Sequence, residues 1–276
     1  MSIATPTNES QGIVKKVYKA FFTPNQYEIK TQDKEILKSG NNFKVKYDAP
    51  PQRGAGELAV TTWGDESNPK VLLMHGWGGA RAQMTGFVNP LLKAGYFVVS
   101  YDQPAHGESD GAQTNLLEIA PTMDVMLNRF GKFDFILAHS FGTLITSYAL
   151  VKRNFPLPSR LVYFGAFNRL LDSFPRFQVI AKLPDQIMDG LYKMIYENFS
   201  EGVLEEIVNE ELVKEINIPA LVFHDRSDEV TPVEDSRAIA NTWTHAQYVE
   251  TNGLGHRGAL QSSDVHEQVI KFLQGR

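Results

Sequence analysis

From Lys70 onward, short and almost unbroken apolar runs alternate with longer stretches of helical period, a pattern that few folds accept. Strands buried on both faces lose the in–out alternation of a half-exposed sheet, and parallel strands need a covering crossover between neighbours. Strands are expected at Val71 to Met74, Phe97 to Tyr101, Phe133 to Leu137, Leu161 to Phe164, Ala220 to Phe223 and Gln247 to Val249. Helices are expected at Ala82 to Lys93, Asn115 to Phe130, Phe141 to Arg153, Val233 to Asn241 and Val265 to Leu273. This is the pattern of an α/β fold with a mostly parallel central sheet and helices on both faces. Such sheets bind ligands beyond the carboxyl ends of their strands, so the loops after each strand are where chemistry is sought.

The chain departs from that alternation twice. Residues 1–42 form an N-terminal extension in which Ile13, Val17 and Phe21 share one helical face, Lys15, Lys16 and Lys19 lie elsewhere, and Pro24 ends the helix. Such a helix docks on its own protein or on a second subunit, and a membrane role is not expected. Asn25 to Gly40 shows no clean period. Phe43 to Tyr47 alternates as an edge strand should, and the loop Ala49 to Gly56 leads into a second strand, Leu58 to Trp63. The second departure is 165–218, where helical spacing in Ile187, Leu191 and Ile195, and in Val203, Ile207 and Leu212, predicts a helical lid insertion. Its rings, Phe167, Phe174, Phe177, Tyr192, Tyr196 and Phe199, are expected to make its own small core, with a few left to line an apolar pocket. The 276 residues then suffice for one core, 43–164 with 219–276, plus this insertion.

A net charge of −5 without a basic face excludes a nucleic-acid partner. With no cysteine in the chain, disulfides, thiolate nucleophiles and zinc–sulfur sites are excluded. The polar start, Met1 to Gln11, has no apolar stretch of signal-peptide type, and no run is long enough to span a bilayer, so a cytoplasmic location is expected.

Three strand ends carry reactive side chains. Ala138-His139-Ser140-Phe141-Gly142 places a serine on a strand-to-helix turn, which presents a hydroxyl above the sheet and leaves the N–H of Phe141 facing the same space. Alternatively, Ser140 merely caps the following helix. The turn His75-Gly76-Trp77-Gly78-Gly79-Ala80 exposes backbone N–H groups, that of Trp77 foremost, as an oxyanion site requires. It has neither P-loop nor dinucleotide-loop spacing. A serine needs an imidazole to take its proton and a carboxylate to orient the imidazole. Asp225 or Asp228 after the Ala220 strand, and His256 after the last strand, supply these in the order Ser, Asp, His. His75, His106, His139 and His224 fall near the same sheet edge, which raises a metal site, but they belong to different loops and lack helical ligand spacing. Neither a metal nor a cofactor is expected, and His245 and His266 lie away from the site.

These motifs together resemble the α/β-hydrolases over about Trp63 to the C-terminus. Asp102-Gln103-Pro104-Ala105-His106-Gly107-Glu108-Ser109 resembles that family's D-x-x-G-H-G-x-S loop with Ala105 in place of a glycine, and Ala138 likewise replaces the first glycine of G-x-S-x-G. The resemblance implies Asp228, in D-x-V-x-P, as the acid, His256 as the base and Ser140 as the nucleophile, with Asp225 bonding its own loop and Glu229 and Asp235 on the solvated surface. It implies a serine hydrolase acting on an ester or related acyl bond of a small or medium apolar acyl or alcohol group; thioester, lactone, amide and carbon–carbon bond hydrolysis remain compatible. A serine at the elbow disfavours the epoxide and halide chemistries that use aspartate there. The alternative is a non-catalytic scaffold that binds a small molecule or a partner protein.

Overall fold

The computed structural model describes residues 8–48, 55–199 and 202–276. The predicted loop Ala49 to Gly56 falls, over 49–54, outside the described residues, as does the start of the chain over 1–7. Among the described residues eight strands form one sheet: β1 (Asn41–Asp48), β2 (Ala55–Trp63), β3 (Lys70–Met74), β4 (Phe97–Tyr101), β5 (Phe135–His139), β6 (Arg160–Phe164), β7 (Ala220–Asp225) and β8 (Ala246–Thr251). Their order across the sheet is β1-β2-β4-β3-β5-β6-β7-β8. The two β1 and β2 pairings are antiparallel and all the others parallel.

The helices in chain order are α1 (Asn8–Phe21), α2 (Thr31–Ser39), α3 (Val88–Lys93), α4 (Leu116–Phe130), α5 (Phe141–Lys152), α6 (Ser173–Ala181), α7 (Asp185–Asn198), α8 (Val203–Glu206), α9 (Asn209–Leu212), α10 (Val233–Thr242), α11 (Gly255–Gly258) and α12 (Ser263–Leu273). Two apolar layers sandwich the sheet. Leu72, Ile136 and Tyr163 pack with α4 and α5 on one face, and Val71, Leu137, Val162 and Phe223 pack with α3 and α12 on the other. Adjacent residues on a strand thus belong to opposite cores, which is why these strands read as unbroken apolar runs.

Several boundaries differ from expectation. Phe133 lies ahead of β5, because Asp134 ties the strand entry to Lys70, whose N–H reaches Asp134 Oδ2 at 2.8 Å. The helix expected from Ala82 is a 3-10 turn, Arg81–Phe87, before α3. Pro90 lacks the N–H that a continuous α-helix would donate to Gly86. The stretch with no clean period contains α2, held by Asp33 and Leu37 as its buried residues.

The 165–218 interval is helical. α7 buries Met188, Leu191 and Ile195, with Ile187 only half-buried. The second predicted period, Val203 to Leu212, is broken into α8 and α9, because Ile207 leaves helical geometry and Val208 bridges Arg169. This insert shares its small core with the N-terminus. Phe21 sits 4.5 Å from the Phe174 ring and 5.1 Å from Phe177, and Val14 fills the notch at Gly190 of α7. The apolar face of α1 therefore begins at Val14 rather than at Ile13, which is 44% exposed. Phe167 lies apart from this cluster, in the main core. Among the described residues no helix is long and apolar enough to cross a membrane.

Candidate active site

One residue separates β5 from α5, and it must turn the chain sharply. Ser140 does so at φ 54° and ψ −125°, a conformation that a residue with a Cβ adopts at a cost. Its N–H reaches the Phe164 carbonyl at 2.9 Å, and its own carbonyl accepts the N–H of Thr143 at 2.9 Å and Thr143 Oγ1–H at 2.7 Å. The side chain makes no capping bond, so Ser140 is not merely a helix cap. A Cβ at Gly142 would lie 2.6 Å from the His75 carbonyl oxygen. The turn thus needs a glycine two residues past the serine.

The glycine-rich turn packs against this elbow. The N–H of Gly76 is donated to Gln83 Oε1 at 3.3 Å, that of Gly78 to His106 Nε2 at 3.1 Å and that of Gly79 to the Gly76 carbonyl at 3.0 Å. Among the described residues, the N–H groups of Trp77 and Phe141 have no acceptor. Two buried histidines brace the turn. His75 Nε2 accepts the N–H of Gln103 at 3.0 Å, so Nδ1 carries the hydrogen donated to the Gly76 carbonyl at 2.8 Å. His106 likewise accepts at Nε2 and donates from Nδ1 to the Pro104 carbonyl at 2.9 Å. Burial lowers the pKa of His75 to about 4 and that of His106 to about 3, so both rings are neutral. Beneath them, Asp102 pairs with the Arg81 guanidinium and accepts the N–H of Arg81 at 2.5 Å and of Glu108 at 2.8 Å.

At the far side of the elbow, His256 Nδ1 meets Asp228 Oδ2 at 2.7 Å. The Asp228 side chain is 1% exposed. Burial alone would push its carboxyl up, but hydrogen bonds from His224, His256 and the N–H of Thr231 outweigh it and hold it well below the usual carboxylate range. His256 must therefore donate from Nδ1, and Nε2 has no partner among the described residues. Gly165, at φ 51°, leaves the room beside this pair: a Cβ there would lie 3.2 Å from Asp228 Oδ2 and 3.4 Å from His256 Nδ1. Ser140 and His256 are linked through His139, whose ring lies 4.6 Å from that of His256 and whose Nε2 is 2.8 Å from the His256 carbonyl oxygen. Among the described residues Ser140 Oγ forms no hydrogen bond, and such bonds are commonly loose before substrate binds.

The remaining candidates separate by their partners. Asp225 accepts the N–H groups of Ser227, Gly253, Leu254 and Gly255 and the hydroxyl of Thr251, so it closes the histidine loop on itself. Burial disfavours its charge, but these donors keep its carboxyl below the ordinary range. Glu229 is exposed. Asp235 is not the solvated residue expected: its side chain is 12% exposed and bonds Arg176 of α6 at 3.2 Å, because α10 faces the insert there. His245 and His266 bond Asn217 and the Leu260 carbonyl, away from the serine. Among the described residues no three His, Asp or Glu side chains converge as metal ligands would, and the rings of His75, His106, His139 and His224 all bond protein groups.

Sequence reasoning missed Arg81 and Thr231. A lone arginine in a polar turn carries no mark of burial, whereas Thr231 stands inside the D-x-V-x-P motif and was open to notice. It also missed the N-terminal segment. Asn25 lies against Gly78, the Phe22 carbonyl accepts the N–H of Thr114 at 2.9 Å, and Arg257 sits 5.6 Å over the Tyr27 ring.

No curated protein matches the sequence at a significant level. Solved structures do match. An esterase of Pyrococcus furiosus superposes with a TM-score of 0.66 at 18% identity, covering 92% of this chain and 98% of its own. The thioesterase domain from the curacin biosynthetic pathway superposes with 0.61 at 16% identity, covering 86% and 100%. The 2-hydroxy-6-oxo-6-phenylhexa-2,4-dienoate hydrolase of Rhodococcus sp. strain RHA1 superposes with 0.61 at 18% identity, also covering 86% and 100%. At such identities the likeness concerns the fold. The family model described as TAP-like protein matches 204–275, and the one described as alpha/beta hydrolase fold matches 69–214; with more than half of its length under the latter and the sheet, elbow and loops in that order, the chain belongs to the α/β-hydrolase fold family.

Proposed function

We propose that the protein is a serine hydrolase that cleaves a carboxylic ester, or a related acyl bond, through Ser140, His256 and Asp228. The observation that carries this reading is the 2.7 Å contact between His256 Nδ1 and an Asp228 carboxylate held ionised. It leaves Nε2 as the base. Ser140 Oγ forms a bond to the acyl carbon while its proton passes to His256 Nε2. The oxygen turned negative is received by the N–H groups of Trp77 and Phe141. Collapse of this adduct breaks the bond to the leaving group, which takes the proton from His256. Water, deprotonated by the same nitrogen, then releases the acid and restores Ser140. Losing one oxyanion donor costs about a hundred- to a thousand-fold in such reactions.

An apolar acyl group suits the surroundings. The Phe141 ring meets Trp77 at 5.7 Å and Phe167 at 5.6 Å, both edge to face, next to Ser140. The 165–218 insert acts in this reading as a lid that chooses the substrate. The similar esterase, thioesterase and dienoate hydrolase structures make ester, thioester and carbon–carbon bonds the series to test.

Intact mass after treatment with a fluorophosphonate tests the reading. One adduct is expected on the native chain, none on Ser140→Ala, and much slower labelling of His256→Ala and Asp228→Asn. A folded native chain that stays unlabelled refutes it and favours a binding scaffold.

A further inference from the structure

Asp228 receives more donors than the orientation of one imidazole requires. Its Oδ1 accepts the N–H groups of Val230 at 2.8 Å and Thr231 at 2.9 Å. Its Oδ2 accepts His256 Nδ1–H at 2.7 Å and Thr231 Oγ1–H at 3.0 Å. The same oxygen lies 3.3 Å from Nε2 of His224, a buried ring on β7.

The protonation of His224 follows from its neighbours. Nε2 donates to the Thr231 carbonyl oxygen at 3.0 Å and lies 3.3 Å from Asp228 Oδ2. Both are acceptors, so this nitrogen carries a hydrogen. Nδ1 lies 2.7 Å from Oγ of Ser236 on α10. Ser236 Oγ already accepts the N–H of Ala166 at 3.0 Å, and its own hydrogen then has the Nδ1 lone pair as acceptor. The ring is satisfied at both nitrogens while neutral.

We propose that His224 and Ser236 are positioning residues for the acid of the site, with the Nε2–H of His224 shared between the Thr231 carbonyl and the carboxylate oxygen that His256 engages from Nδ1. The inference rests on the reading of Ser140, His256 and Asp228 as a triad and adds a second imidazole of opposite tautomer to it. Two imidazole N–H groups beside one oxygen then hold it sideways as well as along the His256 bond. They also divide its negative charge, so His224 lowers the proton affinity of the Asp228–His256 pair. The other titratable and charged groups around the pair are His139 on β5, Arg257 on α11 and, on the α10 side, Asp235 with its partner Arg176. None of these donates to Oδ2.

Two measurements test this. In the native protein labelled with 15N-histidine, two-bond proton–nitrogen spectra should show His224 as the neutral Nε2–H tautomer. The pH dependence of fluorophosphonate labelling should then separate the variants. His224→Phe should label about ten- to a hundred-fold more slowly near neutral pH and move the acid limb of the profile up by about half a pH unit. Ser236→Ala should lie between His224→Phe and native, and His224→Gln, which keeps a donor where Nε2 stood, should restore the native limb. An Nδ1–H tautomer at His224, or an unmoved limb in a folded His224→Phe, overturns the proposal. Failure of the triad reading looks different: the native chain itself is then not labelled at Ser140.

Discussion

His139 donates its Nε2–H to the backbone carbonyl oxygen of His256 at 2.8 Å, so the residue before the candidate nucleophile holds the main chain of the candidate base. A carbonyl can only accept, which fixes the tautomer. Burial, with the neighbouring His256 second, pushes the pKa of His139 well below that of a free imidazole. Replacing His139 with Phe leaves the carbonyl without its donor, at about 1–3 kcal/mol in stability, and lets the base shift against the serine. Under the proposed serine-hydrolase reading, turnover should fall by about ten- to a hundred-fold. Kinetics beside a melting curve check this, and native turnover in a destabilised variant would show that His139 serves packing alone.

Acid should weaken the fold through its buried histidines. Burial brings His75 to about 4 and His106 to about 3, while an unfolded histidine takes up its proton near pH 6.5. Between these values the unfolded chain binds more protons than the native one, so stability falls as pH drops from about 6.5 towards those lower values. His75 alone accounts for ~3 kcal/mol across that window. Urea midpoints near pH 7 and near pH 4.5 should differ accordingly, and equal midpoints would contradict it.

Ala105 occupies a position that costs it strain. It stands at φ 62°, where an alanine is about 1 kcal/mol worse than glycine. Ala105→Gly should therefore raise the unfolding free energy by about that amount with little change in turnover. Chemical denaturation decides, and a loss of stability would mean that the methyl's packing outweighs the backbone strain.

Arg81 and Asp102 are an ion pair whose side chains are 6% and 0% exposed. Arg81→Met leaves a buried carboxylate uncompensated, which costs about 3–5 kcal/mol. The double change Arg81→Met with Asp102→Asn should recover part of that loss, because the stranded charge is gone. A single variant as stable as the native protein would place the pair outside the energetics of the loop.

The sheet was legible because each central strand is buried on both faces and announces itself as an apolar run. The fold class was legible with it. Helix α2 was not: its inward residues are Asp33 and Leu37, and Asp33 is buried because Thr85 Oγ1 donates to it at 2.6 Å. No periodicity of apolar residues reports such a contact. At the candidate site, Ser140, Asp228 and His256 stand out because each follows a strand in a recognisable loop. The role of His224 does not, since it depends on a rotamer and on Ser236 in another helix. Arg81 is hidden for a similar reason: its charge reads as surface until Asp102, 21 residues later, is seen to meet it.

Helix α1 finishes its apolar contacts only with α6 and α7, which lie more than 150 residues further along the chain. During synthesis at about 5–20 residues per second, Val14, Val17 and Phe21 therefore leave the ribosome on the order of ten to thirty-five seconds before Ile195 does. For that interval they have no native cover. The hazard of misassociation for this protein is thus set by the distance between two helices along the chain, and placing α1 after α12 in a circularly permuted chain would shorten the wait and pass it to the faces of α6 and α7 that α1 covers.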